Sequence, residues 1–300
     1  MFRNVRYYRY AGDWPVSEEA VSAQLSRFAF KPCGPLSERS AGWVPIDPAH
    51  RASGQGLLAR RINGTDLIRL RTQSRVLPPA VINEALEERV EEFRARMGED
   101  PTPREKRRLK AETREELLSQ ALRKSERTWA YIDPGEKIIG IDAGSPTNSE
   151  RFLSYLRQPC DGLNIKPLAF KDPIDALLTR IFLGEAPARF NVGRECRMQD
   201  AKDAGASVRW TNFDLADRSI RNHVADGMHL THLAVEYGSI LNCVIDQHGV
   251  LTKLKLLGAD DKDTQADNDP YARQDAEFVL LTGTLRQLMA DLKKLLGGFA

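Results

Sequence analysis

The chain has 300 residues, 41% of them hydrophobic and 29% charged, enough apolar material for about two packing units of ordinary size, and no apolar run approaches the roughly 18 residues a membrane span needs. Its four cysteines, Cys33, Cys160, Cys196 and Cys243, form no C-x-x-C pair, which argues against a disulfide framework and against a thiolate zinc site and fits a reducing compartment. Forty-four basic against 42 acidic residues leave a net charge of +2, so bulk charge points to no polyanionic partner and only its distribution informs. Between Leu58 and Arg75 five arginines, Arg60, Arg61, Arg69, Arg71 and Arg75, face one acid, Asp66; between Ala259 and Ala276 six aspartates face Lys262 and Arg273. The opening MFRNVRYYRY breaks its apolar residues with Arg3, Arg6 and Arg9, unlike a secretory signal, and a cytoplasmic location is expected.

In chain order, a first strand is followed by an amphipathic helix within Pro15 to Phe30, carrying Val16, Ala20, Val21, Leu25 and Phe28 at helical spacing. Prolines and glycines from Pro32 to Pro45 predict an irregular stretch. Asn63-Gly64 between the apolar-alternating runs Leu57 to Ile62 and Asp66 to Arg71 predicts a β-hairpin, since both turn residues tolerate positive φ. Glu84 to Arg127 holds 12 basic and 12 acidic residues in 44 positions and reads as helical throughout. Ile82, Leu86, Val90, Phe93 and Met97 form a narrow stripe ending at Gly98, and Thr102-Pro103-Arg104-Glu105 is a capping box that starts a second helix. Leu109, Leu117, Leu118, Ala121 and Leu122 complete an antiparallel helical hairpin whose arms, about 20 residues each, would extend ~30 Å.

Two short strands, Trp129 to Asp133 and Lys137 to Asp142, surround Pro134-Gly135, with a helix expected near Asn148 to Arg157. Asp172-Pro173 is expected to cap a helix ending at Gly184, and Asp214 to cap another that runs through Ile220 to Gly227. His229 to Leu257 reads as strands turning at Asp246 to Gly249, and Leu285 to Leu296 as a closing helix. The fold class is α+β: two sheet-and-helix units with the helical arm inserted between them. The expected parts are an N-terminal unit over 1–76, the arm over 77–127 and a C-terminal unit over 128–300.

Familiar chemistry is mostly missing. There is no G-x-x-x-x-G-K-[ST], and Gly54-Gln55-Gly56 lacks the third glycine of a dinucleotide cradle. No G-x-S-x-G or other local signature marks an activated nucleophile. His229 and His232, three apart, would face together on a helix but diverge on the strand expected here, and they and His223 read as structural histidines. The aspartates Asp260, Asp261, Asp263, Asp267 and Asp269 lack the glycine and glutamate of a calcium loop, since Ala266 and Ala272 occupy those positions, and read as a solvated acidic loop. Asp133 and Asp142, at the ends of adjacent strands, form the one candidate carboxylate pair for a metal-dependent nuclease, and nothing else completes that site. No catalytic residue, metal site or cofactor is expected.

What remains is cationic geometry. Period-two alternation sets Ile68 and Leu70 on one strand face and Arg69, Arg71 and Arg75 on the other, and Lys253 and Lys255 alternate likewise with Leu254 and Leu256. Such stripes, with Arg60 and Arg61 nearby, can follow phosphates by charge without reading bases; the same alternation also fits a solvated strand face. On the arm, Arg104, Lys106, Arg107, Arg108 and Lys110 interleave with glutamates, as on a salt-bridged solvated helix.

Taken in order, Phe30-Lys31-Pro32-Cys33-Gly34, Gly42-Trp43-Val44-Pro45, the Asn63-Gly64 hairpin, Leu77-Pro78 with Val81-Ile82 and Ala85-Leu86, and Phe278-Val279-Leu280-Leu281-Thr282-Gly283 resemble the RdgC family of bacterial recombination-associated proteins over nearly the whole chain. The resemblance implies a cytoplasmic, nucleoid-associated, non-catalytic protein that binds double-stranded DNA with little sequence preference. It implies further a ring-shaped homodimer around DNA and a limit on RecA-promoted recombination. By the same likeness Leu122 stands at an arm-tip contact between subunits, in place of an aromatic residue that can occur there, and Asn212 and Phe213 fall near the other contact. An alternative is a protein-interaction adaptor that grips its partner with the charged arm and binds no DNA.

Overall fold

The computed structural model describes residues 2–47, 56–203, 205–258 and 270–300. Its first sheet starts with β1 (Arg6–Ala11), β2 (Arg39–Trp43), β3 (Ala59–Ile62) and β4 (Thr65–Val76), with α1 (Glu18–Ser26) between β1 and β2. Ser17 caps α1 by accepting a hydrogen bond from the Ala20 amide. The β3–β4 hairpin turns on Asn63 and Gly64 at φ 48° and 74°, the doubly positive turn that follows strand twist. The sheet is completed by β5 (Leu122–Asp133), β6 (Ile138–Ile141) and β7 (Asn164–Pro167), with α4 (Pro146–Leu156) between β6 and β7. Strand order is β2-β4-β5-β6-β1-β7, with β3 also paired to β4, and the pairings are antiparallel.

Two helices, α2 (Pro79–Met97) and α3 (Pro103–Gln120), interrupt that sheet between β4 and β5. Gly98 ends α2 in the left-handed conformation, and Thr102 and Glu105 form both bonds of the capping box on α3. Arg89 pairs with Glu116, and Lys110 donates to Asn83 Oδ1, across the two helices. Buried side chains are confined to Ile82 and Leu86 on α2 and Thr113 and Leu118 on α3, while Met97, near the turn, is exposed. Helix ends at Gln120. Residues 122–127, expected to be helical, are strand: they pair with residues 71–76 of β4 and extend the β4–β5 ladder over eleven residue pairs. The segment 128–300 thus begins inside a strand of the first sheet.

The second sheet, β12-β11-β10-β8-β9, is built from β8 (Phe190–Asp200), β9 (Ser207–Thr211), β10 (Met228–Tyr237), β11 (Leu241–Asp246) and β12 (Leu251–Leu256). With it pack α5 (Ile174–Leu183), α6 (Arg218–Ala225) and α7 (Pro270–Leu295). The cap of α6 is Asp217, not Asp214, which instead accepts from the Ala216 amide one turn earlier. Pro173, without a side-chain bond, precedes α5, so Asp172 is not its cap. The closing helix runs from Pro270, far longer than the Leu285 to Leu296 expected, since Phe278 and Leu281 already continue the buried stripe of Leu285, Leu288 and Leu292. The acidic run 260–269 lies outside the described residues. Val5 and Leu251 exchange backbone hydrogen bonds of 2.8 and 2.9 Å and tie the two sheets together.

Two cores result. One face of the first sheet contributes Tyr7, Leu67, Tyr131 and Ile138 to a core shared with the second sheet, α5 and α7. The opposite face contributes Tyr8, Tyr10, Ile68, Leu70, Ala130, Ile132 and Ile139 to a core with Val21 and Leu25 of α1 and Phe152, Leu153 and Leu156 of α4. The first sheet is therefore covered on both faces at its centre. The architecture is α+β, with two antiparallel sheets and seven helices among the described residues.

Candidate nucleic-acid interface

Residues directly opposite on antiparallel strands present their side chains to the same face. Along one face of β4 and β5 the pairs are Leu67–Tyr131, Arg69–Trp129, Arg71–Arg127, Gln73–Ser125 and Arg75–Arg123. The file begins in the shared core and becomes polar and cationic as it leaves it. No acid stands in it.

Arg69 is still in the core: it is 1% exposed, its guanidinium lies 4.6 Å from the Trp129 ring centroid, and Nη2 donates to the Pro45 carbonyl. The expectation that Arg69 faces outward with Arg71 and Arg75 is thus corrected. Alternation reports that two faces differ in polarity, and a covered second face reads the same as a solvated one when an arginine finds an aromatic ring and a carbonyl inside. Arg71 is half-buried. Its guanidinium stacks 4.4 Å from the Phe30 ring centroid, and Nε and Nη2 donate to Ser125 Oγ at 3.3 and 3.0 Å. Burial, and then the positive charges of Arg127 and Arg123, hold its pKa below the usual arginine value. A phosphate arriving here would relieve that repulsion.

Arg75 serves the backbone. Its Nη1 donates to the carbonyls of Leu118, Ser119 and Ala121, and Nη2 to that of Gly34 at 3.0 Å, so it closes the C-terminus of α3. Gln73 holds the next turn of that same irregular segment: its Oε1 accepts from the Cys33 amide at 2.9 Å and its Nε2 donates to Ser125 Oγ at 3.1 Å. Residues 30–34 thus lie across the outer part of this face. Gly42 makes that possible, because a Cβ there would come within 2.5 Å of the Phe30 backbone.

Arg60 and Arg61 sit on β3 and are committed elsewhere. Arg60 pairs with Asp275 of α7. Arg61 pairs at 2.6 Å with the buried Asp66, which also accepts from Trp14 Nε1, and Arg61 donates to the Pro15 and Val16 carbonyls. On β12, Lys253 and Lys255 are both exposed. The register shift between Asn242 and Val244 puts the extra residue of a bulge on β12, where 253 and 254 face residue 243 alone, and Lys253 takes a positive φ of 54°. Lys253 Nζ and Arg209 Nη2 each reach a different carboxylate oxygen of Glu195 at 2.5 Å. Burial opposes ionisation of Glu195, but these two cations outweigh it and hold its pKa below the usual range.

The residues missed at the sequence level are Arg123 and Arg127. Both are exposed, and neither has an ion-pair partner among the described residues. The charged run 84–127 predicts helix for both. The available signal was the period-two run Arg123, Ser125, Arg127, Trp129, Tyr131 after the last helical leucine.

Leu122, expected at the arm tip, is placed at the arm's base, opposite Val76 and 80% exposed; the turn between α2 and α3 is formed by 98–102. Asn212 follows the edge strand β9 at φ 57° and accepts from Arg194 Nε, and Phe213 beside it is 48% exposed. Asp133 and Asp142 do not form a pair. Asp133 is opposite Ile138, whereas the Asp142 amide bonds to Trp129 at the far end of the β5–β6 ladder. Asp133 binds Arg286 at 2.8 Å, and Asp142 accepts from the Arg3 and Asn4 amides. Among the described residues no three His, Cys, Asp or Glu side chains gather as a metal site would require. His229 and His232 lie on β10 as expected, and burial holds the His232 pKa below its ordinary value. No helix among the described residues is long and apolar enough to cross a membrane.

A family model described as "Putative exonuclease, RdgC" matches residues 1–299. The chain belongs to the RdgC family. RdgC relatives include the recombination-associated protein RdgC of Aeromonas hydrophila subsp. hydrophila, 31% identical over 300 residues that span 99% of this chain and 98% of that protein. That of Serratia proteamaculans is 30% identical over 302 residues, covering 100% and 98%. That of Janthinobacterium sp. is 29% identical over 300 residues, covering 99% and 98%. The RdgC segments quoted from the sequence acquire physical roles here: Phe30 to Gly34 lies over the cationic face, and Gly42 admits it.

Proposed function

We propose that this chain is a non-catalytic protein that binds double-stranded DNA without sequence preference, acts in recombination and does so as a homodimeric ring closed around the duplex. The observation that carries the reading is the file of Arg71, Arg127 and Arg123, cationic and free of acids, at the outer end of a sheet face, where Arg127 and Arg123 stay exposed beside the segment 30–34. Duplex DNA presents about one charge per 1.7 Å of axis, so arginines spaced along a strand meet phosphates whatever the base sequence. Lys253 and Arg209 share Glu195 and add one net positive charge there, and Lys255 is exposed two residues further along β12.

The names of the relatives support a role in recombination. A duplex inside a closed ring is withheld from strand exchange, which is how the protein would limit RecA, and a nucleoid-associated, cytoplasmic location follows from that task. The exposed Leu122 and Phe213 are apolar groups suited to subunit contacts. The family description names an exonuclease, but Asp133 and Asp142 are each held by structural donors at opposite ends of a ladder, and this favours binding without cleavage.

The test is fluorescence anisotropy with a random-sequence duplex of about 40 base pairs, titrated at low and physiological salt. Binding that ignores sequence and weakens with a log-log slope near −0.9 per phosphate contact supports the reading. No binding at low salt overturns it in favour of an adaptor. Shortening of an end-labelled duplex on addition of Mg²⁺ overturns the non-catalytic part.

A further inference from the structure

Beneath α7, on the core side of the first sheet, lies a cavity of about 160 Å³. Its exposed residues, Glu136, Arg286, Ala290 and Lys293, mark the mouth; its buried ones, Tyr7, Tyr131, Ile138, Leu285 and Met289 with the polar Asp133 and Thr282, mark the floor and walls. Cavities of this size accept a six-membered ring when their lining is apolar. The floor adds a specific demand. The Tyr7 hydroxyl belongs to a residue only 5% exposed, and its polar neighbour is the equally buried Tyr131 hydroxyl, so two donors share one contact and one of them is left without an acceptor. A buried hydroxyl left without an acceptor costs about 1–3 kcal/mol, so an acceptor at the end of a guest would be rewarded.

The mouth carries two cations and two carboxylates, of which one pair is closed. Asp133 neutralises Arg286 at 2.8 Å, and Arg286 also donates to Thr65 Oγ1. Lys293 has no carboxylate partner among the described residues and leans over the Phe299 ring at 4.9 Å. Glu136, the other charged group at the mouth, is solvent-exposed and spends its backbone amide on Asp133. An anion at the rim therefore meets an unpaired ammonium and an already ordered guanidinium.

We propose that this cavity is a binding site for a small monocyclic aromatic acid, its ring between Tyr131, Ile138, Leu285 and Met289, its carboxylate at Lys293, and an acceptor substituent reaching Tyr7. Such a guest would bridge β1, β5 and β6 to α7, the helix that joins the two sheets' shared core. It would thereby raise the stability of the whole molecule in proportion to occupancy. The site is separate from the cationic face and does not depend on the DNA reading.

The probe is 4-hydroxybenzoate, followed by isothermal titration calorimetry and ligand-observed saturation transfer on the full chain. Submillimolar binding is expected, weakened about tenfold in Lys293→Gln, as for loss of one charge-assisted contact, and weakened again for 4-hydroxybenzamide, which keeps shape but loses charge. Tyr7→Phe, which keeps the ring and removes the donor, should weaken the hydroxy acid but leave benzoate unchanged. Absence of heat and of saturation transfer at about 5 mM, where even a millimolar site is mostly filled, overturns the proposal. Equal affinity in wild type and Lys293→Gln, with both melting cooperatively, overturns it as well.

Discussion

Arg69 and Arg127 occupy the same strand face one pair apart, yet one is a core residue and the other a surface one. Arg69→Glu places an uncompensated charge beside Trp129 and the Pro45 carbonyl; the expected cost is about 3–5 kcal/mol, read from urea unfolding. Arg69→Met should retain duplex affinity if stability holds. By contrast Arg127→Glu and Arg123→Glu are expected to leave stability within about 0.5 kcal/mol. They should weaken binding to all duplexes alike, each lost phosphate contact reducing the salt slope by about 1. Wild-type affinity and slope in both would remove this face from the interface. Gly42→Ala tests the cover over it. A methyl 2.5 Å from the Phe30 backbone must displace that segment, and a loss of about 1–3 kcal/mol in denaturant melts is expected.

Among the elements, the α2–α3 hairpin relies on local devices, since its buried side chains are few and confined to one end. Thr102→Ala removes the hydroxyl that accepts from the Glu105 amide and donates to Glu105 Oε2, keeps the backbone amide bond to that carboxylate, and should cost about 1 kcal/mol. Amide exchange should accelerate in the first turn of α3 and stay unchanged in the sheets. The arm's helices and their caps were legible in the sequence because capping is a matter of neighbours within four residues. The end of the arm was not. Residues 122–127 carry charges that suit an exposed helix and an exposed strand equally, and β4, 46 to 56 residues earlier in the chain, decides between them.

At the level of the molecule, the two sheets share one core, are tied by the Val5–Leu251 bridge, and leave apolar side chains exposed at several places, Leu122 and Phe213 among them. If these make the subunit contacts of a ring, Leu122→Asp combined with Phe213→Asp should convert a dimer to monomers in sedimentation velocity. DNA binding should then lose more than the charge change alone explains, because a closed ring cannot dissociate sideways. A monomeric wild type would exclude the ring while leaving the cationic face to be judged by its own variants.

Sequence alone determined the α+β class, the family, the Asn63-Gly64 hairpin, the paired helices with their caps and the lack of a recognisable catalytic motif, because each rests on residues close together in the chain or on motifs in order. Tertiary structure alone decided which arginines are free. Arg61 is consumed by Asp66, Arg69 by Trp129, Arg75 by the end of α3 and Lys253 by Glu195, while Arg123 and Arg127 remain exposed. Whether a cation is available depends on which carboxylates, rings and carbonyls the fold brings within about 4 Å, and those partners lie mostly outside any window that periodicity can read.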